Sequence, residues 1–434
     1  WLMFEERLRS LHDSQRFVDD LLGLDFPKEH SDISKLDDFL CSNQDSKPKV
    51  LYIHVPYCDR LCTFCNLNRE LKKDSLSGYA QYIINELTTI SQKKYIKNAV
   101  FSAVYFGGGT PTTFEPQDLE KILSTINTVF NLSNDCEFTF ETTLHNLSDE
   151  KIQTLSQHGV NRFSIGIQTF SSEGRKLLNR MYAPEYAVDR IKNIKKSFKG
   201  NVCLDIIYSY PYQSTGEVEN DALLCSNVDA DSVSFYSLMI HNGSALYKSI
   251  TEGKVIFERS VEQDKCNHNA FFRKMKENGY ELLELSKLAK PGRDRYKYIK
   301  MRYANADTVP IGVGAGGSIG RYGIFNMAPG RKMIVTYHPV YDFFNRLLGY
   351  FQYGTYEEEF LRNYLNEDAY NAVCEKIETY EKEGFFIQSE KGIFKLTEDG
   401  IFWGNNIAAQ IMKSAIENTV KTADIKNYSE TGIL

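Results

Sequence analysis

The strongest constraint on the fold is an alternation. Between positions 49 and 240, β-like apolar runs and helical stretches take turns about six times. Runs at 49–57, 99–106, 137–143, 162–168, 202–210 and 232–240 read as strands, and 76–91, 117–130, 149–158, 185–198 and 217–224 have helical spacing. Strands separated by helices do not pair through tight hairpins. Each returns parallel to the last, which predicts βαβ units, a parallel sheet and an outer helical layer. The expected fold is α/β, a partial (β/α)6 TIM-like barrel within 49–345. A polar, mostly helical extension (1–48) precedes it. After an amphipathic helix at 261–278, residues 280–345 look irregular. A small winged-helix-like domain (346–434) follows, with helices at 358–364 and 369–383, a hairpin within 385–396 and a closing helix at 398–412.

In (β/α) barrels chemistry sits on the loops after the strands. The loop after the first strand reads Cys58-Asp59-Arg60-Leu61-Cys62-Thr63-Phe64-Cys65. Three thiolates on one compact loop hold three irons of a cubane and leave the fourth open, whereas structural cubanes usually take four. A zinc site asks for a second, distant pair. The remaining cysteines, Cys41, Cys136, Cys203, Cys225, Cys266 and Cys374, are scattered and do not pair up. That usage predicts metal binding in a reducing compartment rather than a disulfide framework. Gly107, Gly108 and Gly109 end the second strand, where glycine lets backbone N–H groups approach a ligand closely. Glu141, Gln168 and Asp205 fall at or near later strand ends.

A formal net charge of −6 supplies no broad basic field, so nucleic acid is not an expected partner. The lysines of 192–199 alternate with apolar residues as a solvated helix face does. No run of 18 apolar residues is present, so no membrane span is expected. The opening Trp1-Leu2-Met3-Phe4-Glu5-Glu6-Arg7 turns charged too early for a secretory signal, and the expected location is cytoplasmic.

The cysteine spacing resembles that of the radical S-adenosylmethionine (SAM) superfamily. Tyr52-Ile53-His54-Val55-Pro56-Tyr57-Cys58 and Tyr105-Phe106-Gly107-Gly108-Gly109-Thr110-Pro111-Thr112 are similar to the opening motifs of its HemN-like branch. That branch includes coproporphyrinogen dehydrogenases, the heme chaperone HemW and class C radical methyltransferases. The resemblance implies a radical SAM barrel with a [4Fe–4S] cluster on Cys58, Cys62 and Cys65. It implies a first SAM contacted by Tyr52, Gly108 and Glu141, with Gly107–Gly109 as a close-approach loop. A second SAM is implied at Phe64, Gly109, Thr110, Gln168, Arg180 and Asp205, with Gln168 and Asp205 in catalytic positions.

Two departures refine this. The dehydrogenases carry a further cysteine where this chain has Leu67, and HemW-type chains begin almost directly at the first strand. The stretch 314–320, followed by Phe325-Asn326-Met327, resembles the heme-degrading branch, the anaerobilin synthases. The activity this implies is class C radical methyl transfer to heme, opening the ring to a linear tetrapyrrole and releasing iron. The implied partners are heme and a flavodoxin-like or other low-potential electron donor. The alternatives are a HemW-like chaperone or another HemN-like enzyme acting on a tetrapyrrole or small molecule. On the heme reading, 312–327 forms one wall of an apolar slot at the barrel mouth, with Phe325 and Met327 in contact and Arg321 pairing a propionate. His54 reads as a packed strand residue. His145 and His241 follow strands and are open to the site.

Overall fold

The computed structural model describes residues 4, 6–22, 29–45, 47–65, 69–337 and 339–419. Six parallel strands lie side by side in chain order: β1 (Lys49–Val55), β2 (Val100–Gly108), β3 (Asn131–Thr142), β4 (Arg162–Gln168), β5 (Asn201–Tyr208) and β6 (Ser232–Ser237). The helices Ser77–Ser91, Pro116–Val129, Asp149–Gln157, Pro184–Ser197 and Thr215–Asn227 connect them. Their starts are set locally. Pro116 and Pro184 occupy first-turn positions, Ser148 accepts from the Lys151 N–H, and Ser214 with Glu217 forms a reciprocal capping box. Ile122 and Ile126, or Ile191 and Ile194, recur on one helical face and are buried. The expected partial α/β barrel is present, with element ends shifted by a few residues.

The segment 280–345 is not irregular. Its strand Thr308–Ile311 (β7) pairs parallel with β1. Gly316–Ile319, Tyr322–Ala328 and Arg331–Thr336 continue the sheet antiparallel, with Glu29–His30 at the edge. At the opposite edge Lys287–Ala289 and Glu281–Glu284 follow β6 antiparallel. One 13-stranded sheet results. Strands of three or four residues are too short to show a period, and glycine weakens the signal further. Gly317 is required there, since a Cβ would stand 2.3 Å from the Thr308 carbonyl oxygen.

The helix Lys297–Tyr303 packs against the inner side of β2 and β3. Its first N–H groups, on Lys297 and Tyr298, donate to the Glu137 carboxylate at 2.8 and 3.0 Å, and Tyr298 stacks on Tyr105 at 4.5 Å. Beside it Arg162 and Asp294 form a buried, two-point ion pair at 3.1 and 2.9 Å.

At the C-terminal side, Thr355–Glu357, Ile393–Leu396 and Phe386–Glu390 form a three-stranded sheet against the helices Glu358–Tyr364 and Glu367–Lys382. The expected closing helix is split into Glu398–Phe402 and Gly404–Thr419, and Leu285 packs against Gly404, where a Cβ would clash. The N-terminal helix Leu11–Leu22 docks here. The Ser14 hydroxyl donates to the Asn405 carbonyl at 3.0 Å, and the Asn406 side chain joins the Leu8 N–H and the Glu6 carbonyl. The boundary at 345/346 falls inside the helix Pro339–Phe351, and one apolar core runs from Val18 through the barrel to Ile416. Among the described residues no helix is long and apolar enough to cross a membrane.

Candidate active site at the strand C-termini

The cysteine loop leaves β1 and is closed at its base. Tyr57–Cys58 pairs with Glu70–Leu71, and the Lys72 N–H donates to the Cys58 carbonyl at 2.8 Å. Its far side is clamped. The Thr63 hydroxyl donates to the Leu177 carbonyl, the Leu246 N–H to the Thr63 carbonyl, and the Asn179 amide to the Leu61 carbonyl. Cys58, Cys62 and Cys65 all line one cavity of about 430 Å³. Burial pushes the Cys58 thiol up, the Thr110 hydroxyl donating to its sulfur lowers it, and neighbouring Cys62 and Cys65 raise it again. Crowded thiolates of this kind suit a place where a metal supplies positive charge. Among the described residues no three His, Cys, Asp or Glu side chains converge as a single-ion site requires. A cubane, taking one thiolate on each of three irons, asks for a wider spread. The residues fit a cluster.

The glycine run serves packing first. Cβ atoms on Gly108 and Gly109 would lie 2.6 Å from the His54 ring and 2.6 Å from the Tyr57 carbonyl oxygen, and Gly108 has φ +108°. The Gly109 N–H donates to the Val55 carbonyl and the Gly108 N–H to Glu141 Oε2, at 2.8 and 3.1 Å. These two N–H groups are therefore committed within the protein, not aimed at a ligand as the sequence had suggested. The run lets β1, β2 and the cysteine loop close together.

Glu141 sits over this packing. Burial pushes its carboxyl up to about 7, against the lowering effect of the Tyr105 hydroxyl, which donates at 2.6 Å, and of the Gly108 N–H; nearby Asp205 raises it further. Asp205 lies opposite Gly166 of β4 and accepts from the Ser164 hydroxyl at 3.1 Å. Gln168, at the end of β4, holds a left-handed φ of 71°. Arg180 is flanked by two more left-handed residues, Asn179 (55°) and Tyr182 (68°). Its Nη1 donates to the Cys62 sulfur at 3.0 Å, Nη2 donates to the Gly166 carbonyl, and Nε is buried without a partner. Non-glycine residues in this region are costly and persist where surroundings over-determine them, commonly at functional sites.

The cavity wall thus includes the three cysteines with Phe64, Gly108, Gly109 and Thr110 from one side, and Glu141, Gln168, Arg180 and Asp205 from the other. Tyr52 and Gly107 do not line it. The Tyr52 hydroxyl meets His54 Nδ1 at 2.9 Å, and Gly107 backs Glu141, whose Oε2 lies 3.0 Å from where a Cβ would be. Both sit one layer behind the wall, and His54 is buried in β1 as a packed strand residue. His241 lines the cavity and His145 stands at its rim.

Sequence reasoning missed Tyr105, Arg162, Ser164, Ser234, Tyr236 and Lys287 on the same wall. A signal existed for most of them. Strand residues alternate faces, so inward Gln168 implies Gly166, Ser164 and Arg162, and inward Asp205 implies its neighbour Ser234. Lys287 had none, since its strand has only three residues.

The stretch 314–320 is not a wall of this cavity. Asn326 donates to the Pro310 and Gly312 carbonyls at 3.1 and 3.0 Å and fastens the turn, after which Gly316–Ile319 is a strand. Gly316, Gly317, Gly320 and Arg321 line a separate cavity of about 920 Å³ with Asp45 and Thr308, near the strand N-termini. Phe325 and Met327 are exposed on Tyr322–Ala328 and border neither cavity. Ile299 borders both, so the helix Lys297–Tyr303 is the floor between them. Leu67 lies outside the described residues.

The Radical SAM superfamily model matches residues 52–225, the stretch that carries the cysteine loop and β1–β5. In that segment the chain resembles the HemN-like radical SAM proteins. That likeness implies a [4Fe–4S] cluster and SAM. It is 29% identical over 300 residues to "Anaerobilin synthase" of Escherichia coli O157:H7, covering 68% of this chain and 66% of that relative, just short of two thirds of its length. It is 27% identical over 292 residues to "Heme chaperone HemW" of Bacillus subtilis, covering 66% of this chain and 75% of the relative. The solved coproporphyrinogen III oxidase HemN from Escherichia coli superposes with a TM-score of 0.73 over 90% of this chain and 95% of that one, at 16% identity, a likeness of fold.

Proposed function

We propose that this radical SAM protein is a class C methyltransferase acting on heme, which transfers a SAM-derived carbon to a porphyrin meso position, opens the ring to a linear tetrapyrrole and releases iron. The observation that carries the reading is convergence: one cavity joins the three cysteines, Glu141, and the Gln168–Arg180–Asp205 group. Three thiolates leave an open iron for the amino acid part of a first SAM. A cluster held by Cys58, Cys62 and Cys65 would supply the electron for reductive cleavage of that SAM. Glu141, with a carboxyl poised near neutrality, is suited to hold that molecule's ammonium group. Asp205 and Gln168, on adjacent strand ends, are suited to hold a second SAM with its methyl toward the radical. Holding both molecules in one cavity would bring them in line for the transfer.

The relatives named for anaerobilin synthesis and heme carriage support a tetrapyrrole as the ligand. The HemW relatives favour a second reading, heme carriage without turnover. One experiment separates the two. Reduced, cluster-loaded protein is given heme, methyl-deuterated SAM and a low-potential donor anaerobically, and products are read by mass spectrometry. A deuterium-bearing linear tetrapyrrole and free iron over many turnovers support the enzyme. Intact heme after many rounds of SAM cleavage sinks it.

A further inference from the structure

At the rim of the cavity, beside Cys62 and Arg180, lies a small hollow bordered by Arg60, His145, Met181 and Tyr182. His145 follows β3, and its Nδ1 lies 3.0 Å from the Tyr182 hydroxyl. The Tyr182 ring is 6.0 Å from the His145 ring and 4.3 Å from Tyr186. Tyr182 and Tyr186 are 40% and 44% exposed. A histidine and two tyrosines therefore form an open aromatic ledge next to the reactive cleft. Tyr182 holds its place on that ledge with a left-handed φ of 68°, a conformation that bulky residues rarely adopt.

The other histidines at this end of the barrel are placed differently. His54 is buried behind the wall, its Nδ1 meeting the Tyr52 hydroxyl. His241 faces the cavity, and among the described residues no hydrogen bond orients its ring. His145 alone combines exposure with one ring nitrogen fixed and the other, Nε2, without a hydrogen-bond partner among the described residues. That is the arrangement of a metal-ligating imidazole. The nitrogen not bound to metal carries the proton and is oriented by a neighbouring acceptor, which sets the tautomer and aims the lone pair.

We infer that His145 is an axial ligand to the iron of a bound metalloporphyrin, with Tyr182 accepting from Nδ1–H and the macrocycle lying along the tyrosine ledge. This rests on the heme reading above. Coordination uses the Nε2 lone pair and changes no oxidation state. Arg60 is held by Asn179 through Nε and Nη2, which leaves Nη1 for a porphyrin carboxylate.

The test uses cluster-loaded protein with ferrous heme and no SAM, so that nothing turns over. The iron–histidine stretch of the bound heme is read by resonance Raman, and heme affinity by anaerobic titration. The wild-type band is expected to vanish in His145→Ala and to return on adding imidazole, while His241→Ala keeps it. Tyr182→Phe is expected to weaken heme binding about 10-fold while keeping the iron–histidine band. A wild-type band that persists in His145→Ala, or bound heme with no such band, overturns the inference and leaves the heme reading standing. Wild-type protein that binds no heme overturns both.

Discussion

Two cavities lie at opposite ends of one barrel, and the larger of them is not the one that gathers chemistry. The N-terminal cavity measures about 920 Å³ and is bordered by loops, glycine-rich strand backbone and helix side chains such as Gln15, Arg302 and Asn345. The C-terminal one measures about 430 Å³, yet it holds three thiols, the buried Glu141 carboxyl and the left-handed Gln168. Strand direction explains the difference. At the C-terminal ends of β1–β5 the chain leaves the sheet into loops that converge, and inward residues one strand apart stand in register, as Gly166 with Asp205 and Asp205 with Ser234 do. At the other end the short antiparallel strands contribute mostly glycine backbone, and the side chains come from helices and loops that bring no cysteine to the space. Convergent chemistry, not volume, marks the site.

The contrast breaks most visibly if the cysteine loop is not its centre. Replacing Cys58, Cys62 and Cys65 together with Ala should abolish iron–sulfur absorbance and all SAM cleavage while leaving the circular dichroism spectrum intact. Surviving cleavage would remove the premise.

The next largest effect divides the upper cavity itself. Asp205→Ala should reduce methyl transfer below detection and leave cleavage of one SAM. Equilibrium binding measured anaerobically should fall from two SAM per chain to one. A stoichiometry of one in the wild type would merge the two halves into a single site.

The third probes the cavity's inner wall. Arg162 and Asp294 are both almost fully buried, and despite that burial the guanidinium holds the Asp294 carboxyl well below the usual range. Asp294→Asn leaves the Arg162 charge unpaired and should cost about 3–5 kcal/mol in denaturant unfolding. Replacing both partners with apolar residues of similar size should cost less than the single change.

A smaller effect is a pH slope. The Glu141 carboxyl stands raised from 4.5 to about 7 in the cluster-free fold, so the native state retains a proton that the unfolded chain has released. Stability should fall as pH rises from about 4.5 to about 7 and level off above that. Glu141→Gln should flatten this part of the profile, and an unchanged slope would assign it elsewhere.

The smallest effect is expected in the lower cavity. Arg321→Ala should shift stability by no more than about 0.5 kcal/mol and leave SAM cleavage and heme turnover unchanged. A large loss of turnover would return the Gly314–Gly320 stretch to the active site.

Much of this was legible before the structure, for a local reason. The cysteine spacing, the βα alternation and the strand-end positions of Glu141, Gln168 and Asp205 are all properties of short windows of chain. A period of two or 3.6 residues is visible in the residues that carry it. Tyr105 and Ser164 were readable in principle, by stepping two residues along a strand from a known inward position. What the sequence left out is everything decided by residues far apart meeting. That the glycine run packs β2 against the cysteine loop depends on where the His54 ring and the Tyr57 carbonyl lie. That the strands between 281 and 336 complete the sheet depends on β1 and β6 offering free edges, since four of those six segments have only three or four residues and no pattern of their own. That Gly316, Gly317 and Arg321 face the lower cavity, away from the cysteines, follows from β7 pairing parallel with β1. Side-chain type and spacing set the available chemistry. Only the closing of the sheet decided which of those groups share one space.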